Sequence, residues 1–401
     1  MLQNIKNLNN IITNQSLNIE KIFATRIWIF KNEKKNKDQF FIKKMKYLLK
    51  FFLRTFHASI FTKPLLMSPN SKKKSIFFIR KYSRIDIDRF SSCYENISDT
   101  TVCIFSKRNK KFDILTFFLS LFFLIRLRKS FLKILNKNEI SFFSFFTFNI
   151  LIEFLGDISD LIKIFPYLKK HDKLVSFQEM APIENLICQI ANIIGIKTFA
   201  LQHAISAFSE EGTYEMRYPI TAYLSTVCNH ILCWGNFNKN IYEKYTNAKI
   251  FKLGKPILPE KKEFIDGVTI IFEDKFNLST NKELLLISEI LKKNGIFVSR
   301  WFKKGHNLIE NVEGREGPLR RIVIGAKSSL LFELGFLEYE VYFTSQTNIK
   351  KYIPNTLIIN DVNVLIKKNF SSKDYPHNFW KNFIECTGEE SMRRYKNILF
   401  N

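Results

Sequence analysis

Along most of the chain, short runs of β-branched and aromatic residues alternate with longer stretches of helical length. That is the texture of an α/β fold with parallel sheets. Ser75–Ile79, Thr101–Phe105, Leu174–Phe177, Thr198–Gln202, Ile231–Trp234 and Lys249–Leu253 read as strands of a first unit. Between two of them, Pro182–Ile194 reads as a helix, with proline at its start, Glu184 in its first turn and Gly195 closing it. A break at Gly254-Lys255-Pro256 and Pro259, backed by the charged stretch Glu260–Glu263, marks a linker. A second series follows, with strands at Val268–Phe272, Ile296–Trp301, Arg321–Ile324, Glu340–Thr344 and Thr356–Ile359 and a helix over Asn281–Asn294. Pro376–Leu399 reads as a final helical stretch.

The pattern fades at the amino end. Residues 1–71 are rich in Lys and Asn with scattered Phe and show no clean strand, which predicts a basic tail with an amphipathic helix around Phe40–Thr55. Ile114–Ile125 and Ile140–Leu155 are strongly apolar. Each is shorter than the ~20 residues that span a bilayer, so both are predicted as buried or interfacial helices. The expected organisation is a tail over 1–71, α/β units over 72–256 and 259–373, and a C-terminal helix within 374–401 packing back on the first unit.

Charge changes this picture. Lys plus Arg number 62 against 37 Asp plus Glu in 401 residues, a net charge of +25. Part of the Lys excess accompanies abundant Asn, Ile and Phe, as AT-rich coding DNA would give, but basic residues also crowd Lys31–Lys50, Lys72–Arg84, Lys107–Lys111 and Arg126–Lys137. Basic runs interleaved with Phe suit an anionic membrane surface. No nucleic-acid-binding module signature is present, so nucleic acid is not an expected partner. The six cysteines form no CxxC pair and no metal-ligand spacing, as expected of cytosolic free thiols. Met1–Asn18 lacks the apolar core of a secretory signal.

In parallel α/β sheets, ligands bind beyond the carboxyl ends of strands. Gly325-Ala326-Lys327-Ser328-Ser329 follows one strand and leads into the helical run Leu330–Leu337. Such a small-residue turn offers amides, hydroxyls and the positive end of a helix dipole to a phosphate. Glu333 lies one turn further on, where a carboxylate could accept ribose hydroxyls. Arg300 and the loop Lys303-Lys304-Gly305-His306 add cationic character at the same sheet edge. In the first unit, Gln202-His203 ends a strand and Glu210-Glu211-Gly212 follows in a polar loop, so His203, Glu210 or Glu211 could act as general base.

"TFALQHAIS" (Thr198–Ser206), "ILCWG" (Ile231–Gly235), "LGKPILP" (Leu253–Pro259) and "IGAKSSLLFELG" (Ile324–Gly335) together resemble, in order, landmarks of GT-B glycosyltransferases of bacterial capsule and lipopolysaccharide synthesis. Glu210-Glu211-Gly212, His306 and Ser328-Ser329 also resemble the acidic, His and Ser-Ser motifs of bacterial sialyltransferases and polysialyltransferases. Asn307 stands where those enzymes have Pro, and Ala204 where related ones have Gly.

The resemblance implies two Rossmann-like domains facing across a cleft. It implies a nucleotide-sugar donor (CMP or UDP) whose phosphate is held by His306, Ser328 and Ser329, and an acidic base at Glu210 or Glu211; the strand-end residues add Arg300, Gly325 and Glu333 to the donor side and His203 as an alternative base. A glycan or glycolipid acceptor, a site at the cytoplasmic face of the membrane, and neither cofactor nor metal complete the expectation. A CDP-polyol phosphotransferase of teichoic-acid type and a catalytically decayed membrane-attached scaffold stand as alternatives.

Overall fold

The computed structural model of the chain describes residues 2–14, 17–24, 27, 62–67, 76–80, 100–110, 114–141, 145–177, 181–202, 226–259, 263–273, 278–302, 315–326, 328–347, 350–367 and 375–400. Their alternating pattern resolves into two sheets. The first is seven-stranded: β1 (Thr62–Met67), β2 (Ile76–Arg80), β3 (Thr100–Lys110), β4 (Lys173–Ser176), β5 (Lys197–Leu201), β6 (His230–Cys233) and β7 (Lys249–Lys252) lie in the order β1-β3-β2-β4-β5-β6-β7. Only β1 runs antiparallel to its neighbour.

The second sheet is six-stranded, with β8 (Val268–Ile271), β9 (Val298–Trp301), β10 (Arg315–Glu316), β11 (Ile322–Gly325), β12 (Glu340–Thr344) and β13 (Ile358–Ile359) in the order β10-β9-β8-β11-β12-β13. Here β10 alone is antiparallel. The architecture is α/β with two mainly parallel sheets, compatible with two Rossmann-like domains.

Both faces of each sheet are covered by helices, which is why β8, β11 and β12 are buried at every position. Strand alternation divides the first core in two. Phe77 and Ile79 of β2 pack with α2 (Ile114–Lys137), α3 (Phe145–Leu168) and α4 (Pro182–Ile193), through Phe123, Phe154 and Ile187 among others. Ile76 and Phe78 point the other way, where Tyr395 and Leu399 of the C-terminal helix (Gly388–Phe400) cover Val175, Phe199 and Leu201. Among the described residues, no helix is long and apolar enough to cross a membrane.

The amino end departs from the expected tail. A helix α1 (Leu2–Asn14) and a helical stretch over 19–24 enter the first core, burying Leu8, Ile12, Leu17, Ile19, Ile22, Phe23 and Ile27. Phe23 sets its ring edge-on to Phe131 at 6.0 Å and to Phe154 at 5.1 Å. Asn18 and Gln189 exchange bonds: the Asn18 N–H donates to Gln189 Oε1 at 2.8 Å, and Gln189 Nε2 donates to the Asn18 carbonyl at 3.1 Å. The expected strandless stretch also contains β1, which pairs with β3 across a register shift between Pro64 and Leu65. The amphipathic helix expected over Phe40–Thr55 lies outside the described residues.

At the other end, the chain returns from the second sheet to the first. Trp380 is fully buried against Phe332, Phe343 and Phe383. The Lys255 N–H donates to the Cys386 carbonyl at 2.9 Å, and the Gly388 N–H to the Pro256 carbonyl at 3.1 Å. This return runs so close to Gly254, at φ +81°, that a Cβ there would lie 2.2 Å from the Cys386 carbonyl oxygen.

Glu385 anchors the same stretch, pairing with Lys252 at 2.5 Å and Arg394 at 3.0 Å. Burial pushes its carboxyl pKa up, but the Lys252 and Arg394 bonds outweigh that and hold it below the ordinary 4.5. A depressed carboxylate pKa adds stability that is present above the unfolded value and lost as pH falls through the folded one. Glu385→Gln should therefore cost no more than about 1 kcal/mol near neutrality, and should flatten the loss of stability on acidification below the usual carboxylate range. Urea midpoints across a pH series check this. Parallel acid limbs for both proteins would show that the pairs contribute nothing.

Candidate functional site

The strand order of the second sheet fixes where a ligand crevice opens. From β8 the chain builds outward through β9 and β10, then crosses to β11, β12 and β13 on the other side, so the order reverses between β8 and β11. Crevices in doubly wound sheets form beyond the carboxyl ends of the strands flanking such a reversal. Here those ends are Phe272–Glu273 on one side and Gly325, Ala326 and Ser328 on the other.

Each wall is pinned by side chains. Asn281 of α6 (Leu278–Lys293) accepts from the Glu273 N–H at 2.8 Å and donates to the Glu273 carbonyl at 3.3 Å. Phe272 stacks on Phe302 at 4.6 Å. On the opposite wall, Thr347 Oγ1 donates to the Ala326 carbonyl at 2.7 Å, tying the loop after β12 to the turn after β11. The Ser345 N–H and hydroxyl donate to Glu283 Oε1 at 3.2 and 2.8 Å.

The turn itself feeds α7 (Ser329–Phe336). A Cβ at Gly325 would meet the Leu331 methyls at 2.9 Å, so glycine lets β11 turn tightly onto the helix it precedes. Ser328 is the N-cap, with extended backbone and no side-chain cap bond. Its hydroxyl is therefore not consumed by capping; the Leu331 N–H donates to the Ser328 carbonyl at 3.1 Å, and the two amides ahead of it, those of Ser329 and Leu330, have no intrahelical acceptor. That combination suits a phosphate or another compact anion.

The structure brings Gly325, Ser328 and Ser329 together at this mouth. Arg300, expected as a phosphate ligand, is engaged elsewhere: Nε bonds Glu316 on β10 at 2.7 Å and Nη1 lies 4.0 Å from Glu289 on α6. A guanidinium inside a strand, facing carboxylates on the adjoining strand and helix, is held by them. Glu333, expected at the ribose, pairs with Lys255 at 2.5 Å, with side chains only 10% and 12% exposed. His203, Glu210, Glu211 and His306 lie outside the described residues.

No protein-family model matches this chain, and no curated protein does.

A chain of contacts nevertheless joins the two sheets near this turn. Gln202, the last described residue before His203, is buried at the carboxyl end of β5; its Oε1 accepts from the Trp234 N–H at 2.8 Å and its Nε2 donates to Asn238 at 2.9 Å. The Lys255 ammonium sits 4.5 Å from the centroid of the Trp234 ring, a cation–π contact, and pairs with Glu333. The residue that carries His203 is thus linked, through Trp234 and Lys255, to the helix that opens at Ser329.

Beside Trp234, burial pushes the Cys233 thiol up to about 12, so it stays protonated and is no nucleophile at neutral pH. Among the described residues, no group of three or more His, Cys, Asp or Glu is placed to hold a metal ion. A cavity of about 380 Å³ lined by Lys169, Asp172, Lys173 and Lys197 lies at the amino ends of β4 and β5, opposite the strand ends where α/β ligands bind.

Sequence reading missed Lys255, Glu283, Ser345 and Thr347. Thr344-Ser345-Gln346-Thr347 directly after a buried strand carries a signal of the same kind as Ser328-Ser329. Lys255 gives none, because its partners come from distant segments.

Proposed function

We propose that this chain is a GT-B-type glycosyltransferase that moves a sugar from a CMP- or UDP-activated donor onto a surface polysaccharide or glycolipid at the cytoplasmic face of a membrane. The observation that carries the reading is the placement of Gly325, Ser328 and the start of α7 at the strand-order reversal of the second sheet. The contact chain from Gln202 to Glu333 supports an acceptor side contributed by the first sheet.

In this reading, the α7 amides and the Ser328 and Ser329 hydroxyls hold the leaving phosphate, whose developing charge they stabilise as the sugar departs. His203, Glu210 or Glu211 removes the proton of the acceptor hydroxyl as it attacks the sugar carbon. The product is a glycoside, and the nucleotide leaves with both electrons of the broken carbon–oxygen bond. A nucleotide sugar is a substrate here, and the scheme calls on no cofactor.

A thermal-shift panel of CMP, CDP, UDP and GDP tests the reading, because a ligand that binds only the folded state raises the melting temperature. Ser328→Ala combined with Ser329→Ala is expected to weaken the responding nucleotide at least about tenfold by calorimetry, since hydrogen bonds to charged groups contribute ~1.5–3 kcal/mol each. Unchanged affinity would remove the turn from the site. Silence with every nucleotide would overturn the transferase.

A further inference from the structure

Helix α2 is covered on one side only. Thr116, Ser120, Phe123, Leu127, Phe131 and Ile134 are buried, whereas Leu115, Phe118, Phe122 and Ile125 on the opposite side are 52%, 59%, 42% and 52% exposed, with Leu121 beside them at 38%. These residues recur at three- and four-residue spacing, so they form one continuous stripe over the first half of the helix. A water-facing stripe of this size marks an interaction surface.

The second half of the same face is cationic. Arg126, Arg128, Lys129, Lys133 and Lys137 follow the apolar stripe, and the helix contains no acidic residue. Lys137 pairs with Glu20 at 2.9 Å. Arg126 lies 4.9 Å over the Phe122 ring, at the junction of the two halves. Arg128, Lys129 and Lys133 enter no ion pair among the described residues. Charge and apolar surface are thus separated along the helix axis on one exposed face, save for Leu132, 39% exposed within the basic half.

We infer that the exposed face of α2 docks this protein on an anionic lipid bilayer, the apolar half entering the interface and the basic half meeting lipid phosphates. Leu115 to Ile125 span about 15 Å at helical rise, far short of the ~30 Å hydrocarbon core but ample for burial at the headgroup boundary. A second copy of the chain fits the face poorly. Parallel pairing would set Arg126–Lys133 against their equivalents, and antiparallel pairing would set them against the apolar rings. This deepens the membrane-surface part of the functional reading, and it is separable from that reading because vesicle binding needs neither donor nor acceptor.

The full-length chain is tested by cosedimentation with phosphatidylcholine vesicles, with and without phosphatidylglycerol. Binding that is strong on the anionic vesicles and weakened by salt is expected. Arg128→Ala with Lys129→Ala should weaken it roughly thirtyfold on anionic vesicles alone, at about fivefold per charge. Phe118→Ser with Phe122→Ser should weaken it on both kinds of vesicle. Both pairs are exposed, so melting curves close to that of the parent are expected. Phe118→Trp supplies a direct reporter, whose fluorescence should be quenched by lipids brominated on the acyl chain.

Three results would overturn the inference: no binding to anionic vesicles, binding that both double variants retain, or a parent dimer that Phe118→Ser with Phe122→Ser converts to monomer. Vesicle binding without any nucleotide response would keep this surface and remove the transferase. The reverse result would remove the surface alone.

Discussion

Removal of residues 1–27 is expected to abolish folding of the first α/β unit. The segment buries Leu8, Ile12, Leu17, Ile19, Ile22, Phe23 and Ile27 against α2, α3 and α4. At ~1.5–3 kcal/mol for each apolar side chain taken from water, the loss is on the order of 10 kcal/mol, comparable with the whole stability of a domain. The Asn18–Gln189 exchange and the Lys21 ammonium bond to the Thr226 carbonyl at 3.0 Å go with it. Far-UV circular dichroism and urea unfolding of the truncated chain check this, and a cooperative transition at the parent midpoint would show the segment to be dispensable. Phe23→Ala gives a graded version, with an expected cost of about 3 kcal/mol.

That outcome bears on what the sequence could disclose. Strands buried on both faces announce themselves as apolar runs, which is why Glu340–Thr344 has the extent expected and β4, β5, β6 and β8 differ from expectation by about one residue at their ends. The edge strand β1 carries no such signal. Pro64 argues against a strand within β1 and is tolerated only because β1 lies at the sheet edge, next to a register shift. In α1, apolar residues at helical spacing are diluted by Asn and Lys, so composition suggested a tail where packing makes a core element. Pro376–Leu399 was legible as helical, but it divides into a 3₁₀ turn at His377–Asn382 and the helix Gly388–Phe400, because Thr387 between them pairs with Lys255.

The candidate site was legible in the same uneven way. A glycine-led, serine-rich turn after a buried strand identifies itself, because few other residues let a strand turn so directly into a helix. What Arg300 and Glu333 do was hidden, since the carboxylates around Arg300 and the ammonium on Glu333 are tertiary neighbours. A charged residue near a predicted ligand turn offers only a candidate; its partner in the fold decides whether it remains available.

Glu333→Leu is expected to cost about 3 kcal/mol, because it leaves the Lys255 ammonium nearly buried without its carboxylate. Lys255→Met with Glu333→Leu should recover most of that loss, since replacing both members of a buried pair by apolar side chains removes the desolvation penalty together with the attraction. Urea unfolding of both single variants and the double variant measures the coupling, and a loss in the double variant equal to the sum of the two single losses would show there is none. Nucleotide affinity of the same proteins separates two roles for Glu333. If it acts only by holding the domain-crossing segment to α7, Lys255→Met and Glu333→Leu should weaken the nucleotide alike, through a shared displacement of the Ser328 turn. If its carboxylate also meets the ribose, Glu333→Leu should weaken binding well beyond Lys255→Met, and restoring stability in the double variant should leave that excess in place.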